Sequence, residues 1–328
     1  MDYYLAINTE VVFPENRGRS SFKFKTVNSF KVDGDWRNLT GTAEIVLAKR
    51  LFFDEKGKVF ELIKAGDPIV LRGGYNGEYY DEFKGFVAEI LDDMPVVLKC
   101  EDNMYLLKRT PVNKSYSSVK LENLLKDICP GQFSINAMDV ELGSLLLRNT
   151  TVTEVLQMLK DDYGIYSYFD GDTLVSGKVF TDNTQVVKYS FDEGRKNIIS
   201  NNLKYHTKDM IKIKVTMTSH NKNGKKITVT VGDKDGQEQR LVCTNIENKA
   251  ALEALAKKEL DRLKYDGYQG SFEAFAKPFV KHGYTASLIN REFPERAGDY
   301  YVDAVSTSLT DQGKYHRIVT LGAKAAKQ

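Results

Sequence analysis

Ser21-Phe22-Lys23-Phe24-Lys25-Thr26-Val27 alternates apolar and polar residues one by one. Successive side chains of an extended chain point to opposite faces, so a period of two puts both phenylalanines on one face and both lysines on the other. The stretch predicts a half-buried strand. The same period returns at residues 43–48, 68–72, 83–90 and 96–100, with Gly and Asp turns between the runs. From Tyr3 to Lys108 the expectation is therefore a small antiparallel β-barrel or sandwich.

The period changes after Thr110-Pro111. Leu121, Leu124, Leu125 and Ile128 recur at helical spacing until Pro130-Gly131 stops them. A second helix is predicted from Thr151, where Thr151 and Glu154 match a capping box. Val155, Leu156, Leu159 and Tyr163 form its apolar face, and Gly164 ends it. Residues 166–169 and 173–175 around Asp170-Gly171-Asp172 read as a hairpin. Alternation returns at Ile211, Ile213, Val215 and Met217, and Ile227, Val229 and Val231 answer it across Asn223-Gly224. A helix over 248–265 should bury Leu252, Leu255, Ala256, Leu260 and Leu263 against the β module around it, and three strands should follow.

The expected class is thus β-rich α+β, with two similar small β-barrel domains and an α/β module between them. The boundaries fall at 1–113, 114–197 and 198–328, the last domain carrying the helix 248–265. An internal echo supports the duplication. Gly66 opens one strand and Phe83 begins another seventeen residues on, and Gly283 and Tyr300 stand at the same separation.

Composition narrows the function. The 328 residues carry 47 basic and 45 acidic side chains, so no global field draws the chain to nucleic acid or to a membrane surface. Cys100, Cys129 and Cys243 are odd in number and widely spaced, the pattern of reduced core residues. The N-terminus lacks the basic start and apolar run of a signal peptide, and no stretch approaches the roughly 20 apolar residues of a membrane span. Neither export nor a membrane anchor is expected.

No catalytic set emerges. His206, His220, His282 and His316 form no metal motif with a neighbouring carboxylate. Asp92-Asp93 and Asp161-Asp162 are adjacent pairs, which usually point apart. Asp233-Lys234-Asp235-Gly236 opens like a calcium loop, yet its twelfth position is Thr244. Residues 72–77 are glycine-rich but lack the Lys-Ser or Lys-Thr of a phosphate loop. No cofactor and no catalytic or metal residues are expected. Lys222, Lys225 and Lys226, at one hairpin end, are the candidate contacts for nucleic acid or for the lining of a lumen, and any such nucleic-acid contact would be transient.

Three phrases carry a resemblance: residues 65–71 (AGDPIVL), 83–90 (FKGFVAEI) and 97–102 (VLKCED). They resemble the first barrel of baseplate hub proteins of contractile phage tails, the late-control protein D family, and of its relatives at the base of type VI secretion spikes. Residues 121–128, 153–156 and 163–166 resemble that family's α/β insert, and 298–302 with 317–322 its closing strands. The resemblance implies a non-enzymatic homotrimer in which six similar barrels join a threefold central spike to the sixfold tail tube. It also implies assembly in a host cytoplasm, a place in the virion baseplate, and tail tube protein, spike protein and other baseplate proteins as partners. The chain ends without the needle or lysozyme domain of some relatives, so the spike would be a separate protein. The rival readings are a carbohydrate-active β enzyme with a dispersed site and a nucleic-acid-binding module built on the three lysines.

Overall fold

The computed structural model describes residues 6–47, 62–91, 95–177, 185–192, 194, 196–220, 226–244 and 246–325. Seven strands come first: β1 (Ile7–Phe13), β2 (Phe22–Phe24), β3 (Val27–Asp35), β4 (Thr42–Leu47), β5 (Pro68–Tyr75), β6 (Tyr80–Leu91) and β7 (Val97–Glu101). They pair antiparallel in the order β2-β1-β5-β6-β7-β4-β3. The sheet curls around a core that includes Phe13, Ile45, Ile69, Leu71 and Leu98, all fully buried. The alternation at 21–27 does turn both phenylalanines inward, and Phe22 stacks on Phe13 with ring centroids 4.7 Å apart. The chain breaks from the ladder at Lys25-Thr26, however, so this one run supplies two strands.

A helical region follows, with α1 (Met104–Leu107), β8 (Pro111–Tyr116), α2 (Leu121–Ile128), β9 (Ser134–Ala137), β10 (Leu145–Thr151), α3 (Val152–Tyr163), β11 (Ser167–Asp170) and β12 (Thr173–Ser176). Strands β8 and β10 form one small sheet, and β11, β12 and β9 another. One core of Leu121, Leu124, Leu125, Val155, Leu156 and Leu159 joins the helices to these sheets. The expected capping box is formed: Thr151 accepts from the Glu154 amide, and the Glu154 carboxylate accepts from the Thr151 amide at 2.6 Å. Gly164 ends α3 in the left-handed region at φ 67°, where a side chain would be strained.

The remaining strands are β13 (Val186–Ser190), β14 (Ile198–Asn201), β15 (Lys204–His206), β16 (Ile213–His220), β17 (Lys226–Gly232), β18 (Gln237–Thr244), β19 (Gly267–Phe275), β20 (Thr285–Ile289), β21 (Gly298–Leu309) and β22 (Tyr315–Lys324), with helix α4 (Lys249–Leu263) before β19. The predicted hairpin is β16–β17, with Val215 opposite Val231 and Met217 opposite Val229. Strand β18 adds to it in parallel. Helix α4 buries the expected face, with Leu252 and Ala256 fully enclosed, but its partner is different. It covers the β16–β18 sheet through Val215, Met217 and Val229, and so forms a small layered insert of its own. The cause is local: these strands lie next to α4 in the chain, and their apolar face of Val215, Met217 and Val229 packs directly on it.

The other strands run in the order β13-β20-β21-β22-β19, with β14 and β15 both along the far edge of β19. This repeats the order β1-β5-β6-β7-β4-β3. All corresponding neighbours are antiparallel except the first, since β13 lies parallel to β20 whereas β1 is antiparallel to β5. The strand-rich α+β class is as expected, but closed barrels are not seen among the described residues. Both halves belong to one 14-stranded sheet. Strand β21 makes this possible because its twelve residues divide one edge between two neighbours. Leu288 to Thr285 of β20 pair with Gly298 to Tyr301, and Asp35 to Phe30 of β3 pair with Ala304 to Leu309.

Candidate functional site

The histidines are dispersed through the fold. His316 Nδ1 lies 2.9 Å from Glu273 Oε1, and this bond is the first cause of a lowered Glu273 pKa. His220 stacks on Tyr163 with centroids 4.9 Å apart, and burial pushes its pKa down to about 4. His206 lies against Tyr265, and burial lowers its pKa too. His282 meets Tyr168 edge-on beside Gly34, and burial pushes its pKa down to about 4. No group of three or more His, Cys, Asp or Glu residues is placed to hold a metal ion among the described residues. The three cysteines are unpaired.

The acidic motifs are bound up in local contacts. Asp161 accepts from Gln157 on α3, and Asp92-Asp93 lies outside the described residues. The Asp233–Gly236 stretch is a tight turn between β17 and β18. Its acids are neutralised there: Asp233 pairs with Lys264 at 2.7 Å and Asp235 with Lys212 at 2.6 Å. Of the three candidate lysines, Lys222 and Lys225 lie outside the described residues. Lys226 begins β17, and its ammonium sits 5.1 Å above the Tyr163 ring. The glycine-rich stretch forms the end of β5 and its turn into β6. Gly74 is required there, because a Cβ would lie 1.8 Å from the Glu78 carbonyl oxygen. A shallow, open groove on the polar face of the sheet is lined by Asp33, Asp35, Thr42, Ser306 and Thr320. Lys31 pairs with Asp33 at 2.7 Å and Arg37 with Asp35 at 2.8 Å, so the groove offers no pair of free acids.

The most constrained chemistry lies where the two β halves meet. Glu82 of β6 and Arg317 of β22 form a two-pronged ion pair, with Nη2 to Oε1 at 2.5 Å and Nη1 to Oε2 at 2.9 Å, and each side chain is 1% exposed. Arg317 also donates to the Ala276 carbonyl at 2.8 Å and to Thr307 Oγ1 at 2.7 Å, and its guanidinium stacks 4.8 Å from the Phe279 ring. The Tyr315 hydroxyl donates to Glu82, and Tyr75 donates to the Tyr315 carbonyl at 2.8 Å. Buried charge survives only when paired and hydrogen-bonded, and here every prong has a partner. The arrangement ties β6 of one half to β22 of the other. Neither residue stands out in the sequence as a site, although a signal exists: Arg317 shares the phase of Tyr315, Val319 and Leu321, all buried.

The helical region contacts both halves. Its hairpin turn is held by Lys84 to Asp172 at 2.6 Å, by Asn103 to the Gly171 carbonyl at 2.9 Å, and by Lys281 to Asp170. Trp36, at the end of β3, donates to Asp303 of β21 at 3.0 Å and packs edge-on against Tyr166.

No family model matches the sequence, and no curated protein matches it. Solved structures do resemble it in fold. A tail protein of Neisseria meningitidis MC58 aligns over 97% of this chain and 96% of its own at 14% identity, with a TM-score of 0.63. The 43 kDa tail protein of prophage MuSo2 from Shewanella oneidensis aligns over 95% and 97% at 15% identity, with a TM-score of 0.61. An Escherichia coli type VI secretion component, described as similar to phage T4 tail proteins, covers 91% of this chain and 74% of its own at 9% identity, with a TM-score of 0.55. Along nearly its whole length, the chain has the fold of phage tail proteins and of their type VI secretion counterparts.

Proposed function

We propose that the chain is a structural hub subunit of a contractile phage tail or a phage-like injection machine, acting in the baseplate without catalysis. The observation that carries this reading is the repeated strand order. A chain with two alike halves presents two alike edges, so three copies offer six nearly equivalent surfaces around a threefold axis. Such a particle meets a threefold spike on one side and a sixfold tube on the other without breaking either symmetry. The tail tube protein and a separate spike protein are the partners this geometry fits, with the helical region on the periphery. The tightly satisfied Glu82–Arg317 cluster agrees with a rigid connector. The neutralised acids of the groove give no support to a glycosidase.

The test is co-expression with the tube and spike proteins of the same tail, followed by electron microscopy of the purified complex. A threefold ring between tube and spike is the expected image. If the chain stays unassociated with both proteins, or purified protein cleaves cell-wall glycan, the hub reading fails.

A further inference from the structure

The internal repeat points to a strand edge at which copies of this chain join. On β6 the edge facing β5 makes its last bonds at Val87, whose amide donates to Asp67 at 2.9 Å and whose carbonyl accepts from Gly66 at 2.7 Å. Beyond it, Glu89, Ile90 and Leu91 pair only with β7, opposite Lys99, Leu98 and Val97. In the other half, β15 pairs only with β19. Among the described residues, both outer edges lack a strand neighbour.

Their equivalents within the chain are already joined. Strands β6 and β21 are each twelve residues long and carry the same one-residue bulge. Ala88 is skipped between the Val87–Cys100 and Glu89–Lys99 pairs, and Asp303 between the Val302–Leu321 and Ala304–Thr320 pairs. Residues 89–91 thus stand where Ala304, Val305 and Ser306 stand, and those three pair with Asp35, Gly34 and Asp33 of β3. The counterpart of β3 in the second half is the β14–β15 edge of β19.

We propose that residues 89–91 of one copy pair antiparallel with Lys204–His206 of the next copy, as β21 pairs with β3 inside the chain. Carrying over the internal register sets Ile90 opposite Tyr205, Glu89 opposite His206 and Leu91 opposite Lys204. The faces agree, because Ile90 packs half-buried on the first core and Tyr205 half-buried on the second. Added strands satisfy exposed backbone groups and supply affinity through main-chain bonds. Each copy gives one edge and receives on the other, a heterologous contact that generates a ring when the rotation closes. Closure at three copies rests on the hub reading, whereas the pairing itself is tested separately.

Two double variants, Glu89→Cys with His206→Cys and Leu91→Cys with Lys204→Cys, are oxidised mildly at high protein concentration, alone and with the tube and spike proteins. The expected result is a ladder of covalent oligomers ending at a closed ring, with the new disulfide mapped between the paired positions. Each single variant and the wild type should remain uncross-linked, and a mixture of the two singles should stop at the dimer. Oligomers by native mass spectrometry without either cross-link would overturn the pairing, as would no cross-link under any of these conditions. The hub reading fails differently: the cross-linked ring forms but binds neither tube nor spike.

Discussion

Among the described residues, the largest side chain fully withdrawn from water is the charged Arg317, and its position makes it informative. It sits in the phase of a core strand and is tolerated because Glu82, Thr307 and the Ala276 carbonyl take up its donors. Removing the carboxylate would strand a guanidinium in the junction. Glu82→Gln should therefore cost about 3–5 kcal/mol, whereas Glu82→Leu with Arg317→Met should cost far less. Urea unfolding of Glu82→Leu, of Arg317→Met and of their double variant checks this as a mutant cycle, and additive losses would remove the pair from the account. His282 provides a second test. Its pKa falls from 6.5 to about 4 through burial and the neighbouring Lys281, against the opposing pull of Asp170 and Asp35. The folded state holds this ring neutral while the unfolded chain protonates it. Its contribution is therefore fully present above pH 6.5 and is lost as pH falls from 6.5 towards 4. Going from pH 7 to pH 5 should cost wild type roughly 1–2 kcal/mol more than His282→Gln, measured by urea unfolding at each pH.

Elements built from near neighbours are the ones a sequence announces. The period of 3.6 at Leu121 to Ile128 gives α2, and the Thr151–Glu154 capping box starts α3 one residue before Val152. Thr151→Ala should lower stability by about 1 kcal/mol in chemical denaturation. In α4, Leu252 is fully enclosed and Leu255 only partly, so an aspartate at 252 should cost several kcal/mol and more than one at 255. Equal losses at the two positions would show the face to be rotated. What local pattern cannot give is the partner. Alternation along β3 settles which face is buried but says nothing of its pairing with β21, some 270 residues on. The parallel placement of β13 on β20 is non-local in the same sense. The candidate site shared this limit: the lysines at 222, 225 and 226 stood out as a charge run, while the Glu82–Arg317 junction depends on strands far apart in sequence.

At the scale of the whole molecule, the shared sheet makes a claim about cooperativity. If the two β halves were separate domains on a linker, each would unfold at its own stability, and a transient interface between them would open first. Here β3 and β21 join them through six residue pairs, and the buried ion pair lies between β6 and β22. The chain also carries a reporter at this junction in its single tryptophan. Trp36 bonds to Asp303 across the two halves and packs on Tyr166 of the helical region, so its emission reads all three regions at once. In urea, the loss of Trp36 fluorescence should coincide with the loss of far-ultraviolet circular dichroism, giving one midpoint for both. A fluorescence midpoint well below that of the dichroism would mean that the junction opens while the sheets persist. The halves would then be hinged, and a connector that must hold spike to tube could not rely on β3 and β21 for stiffness.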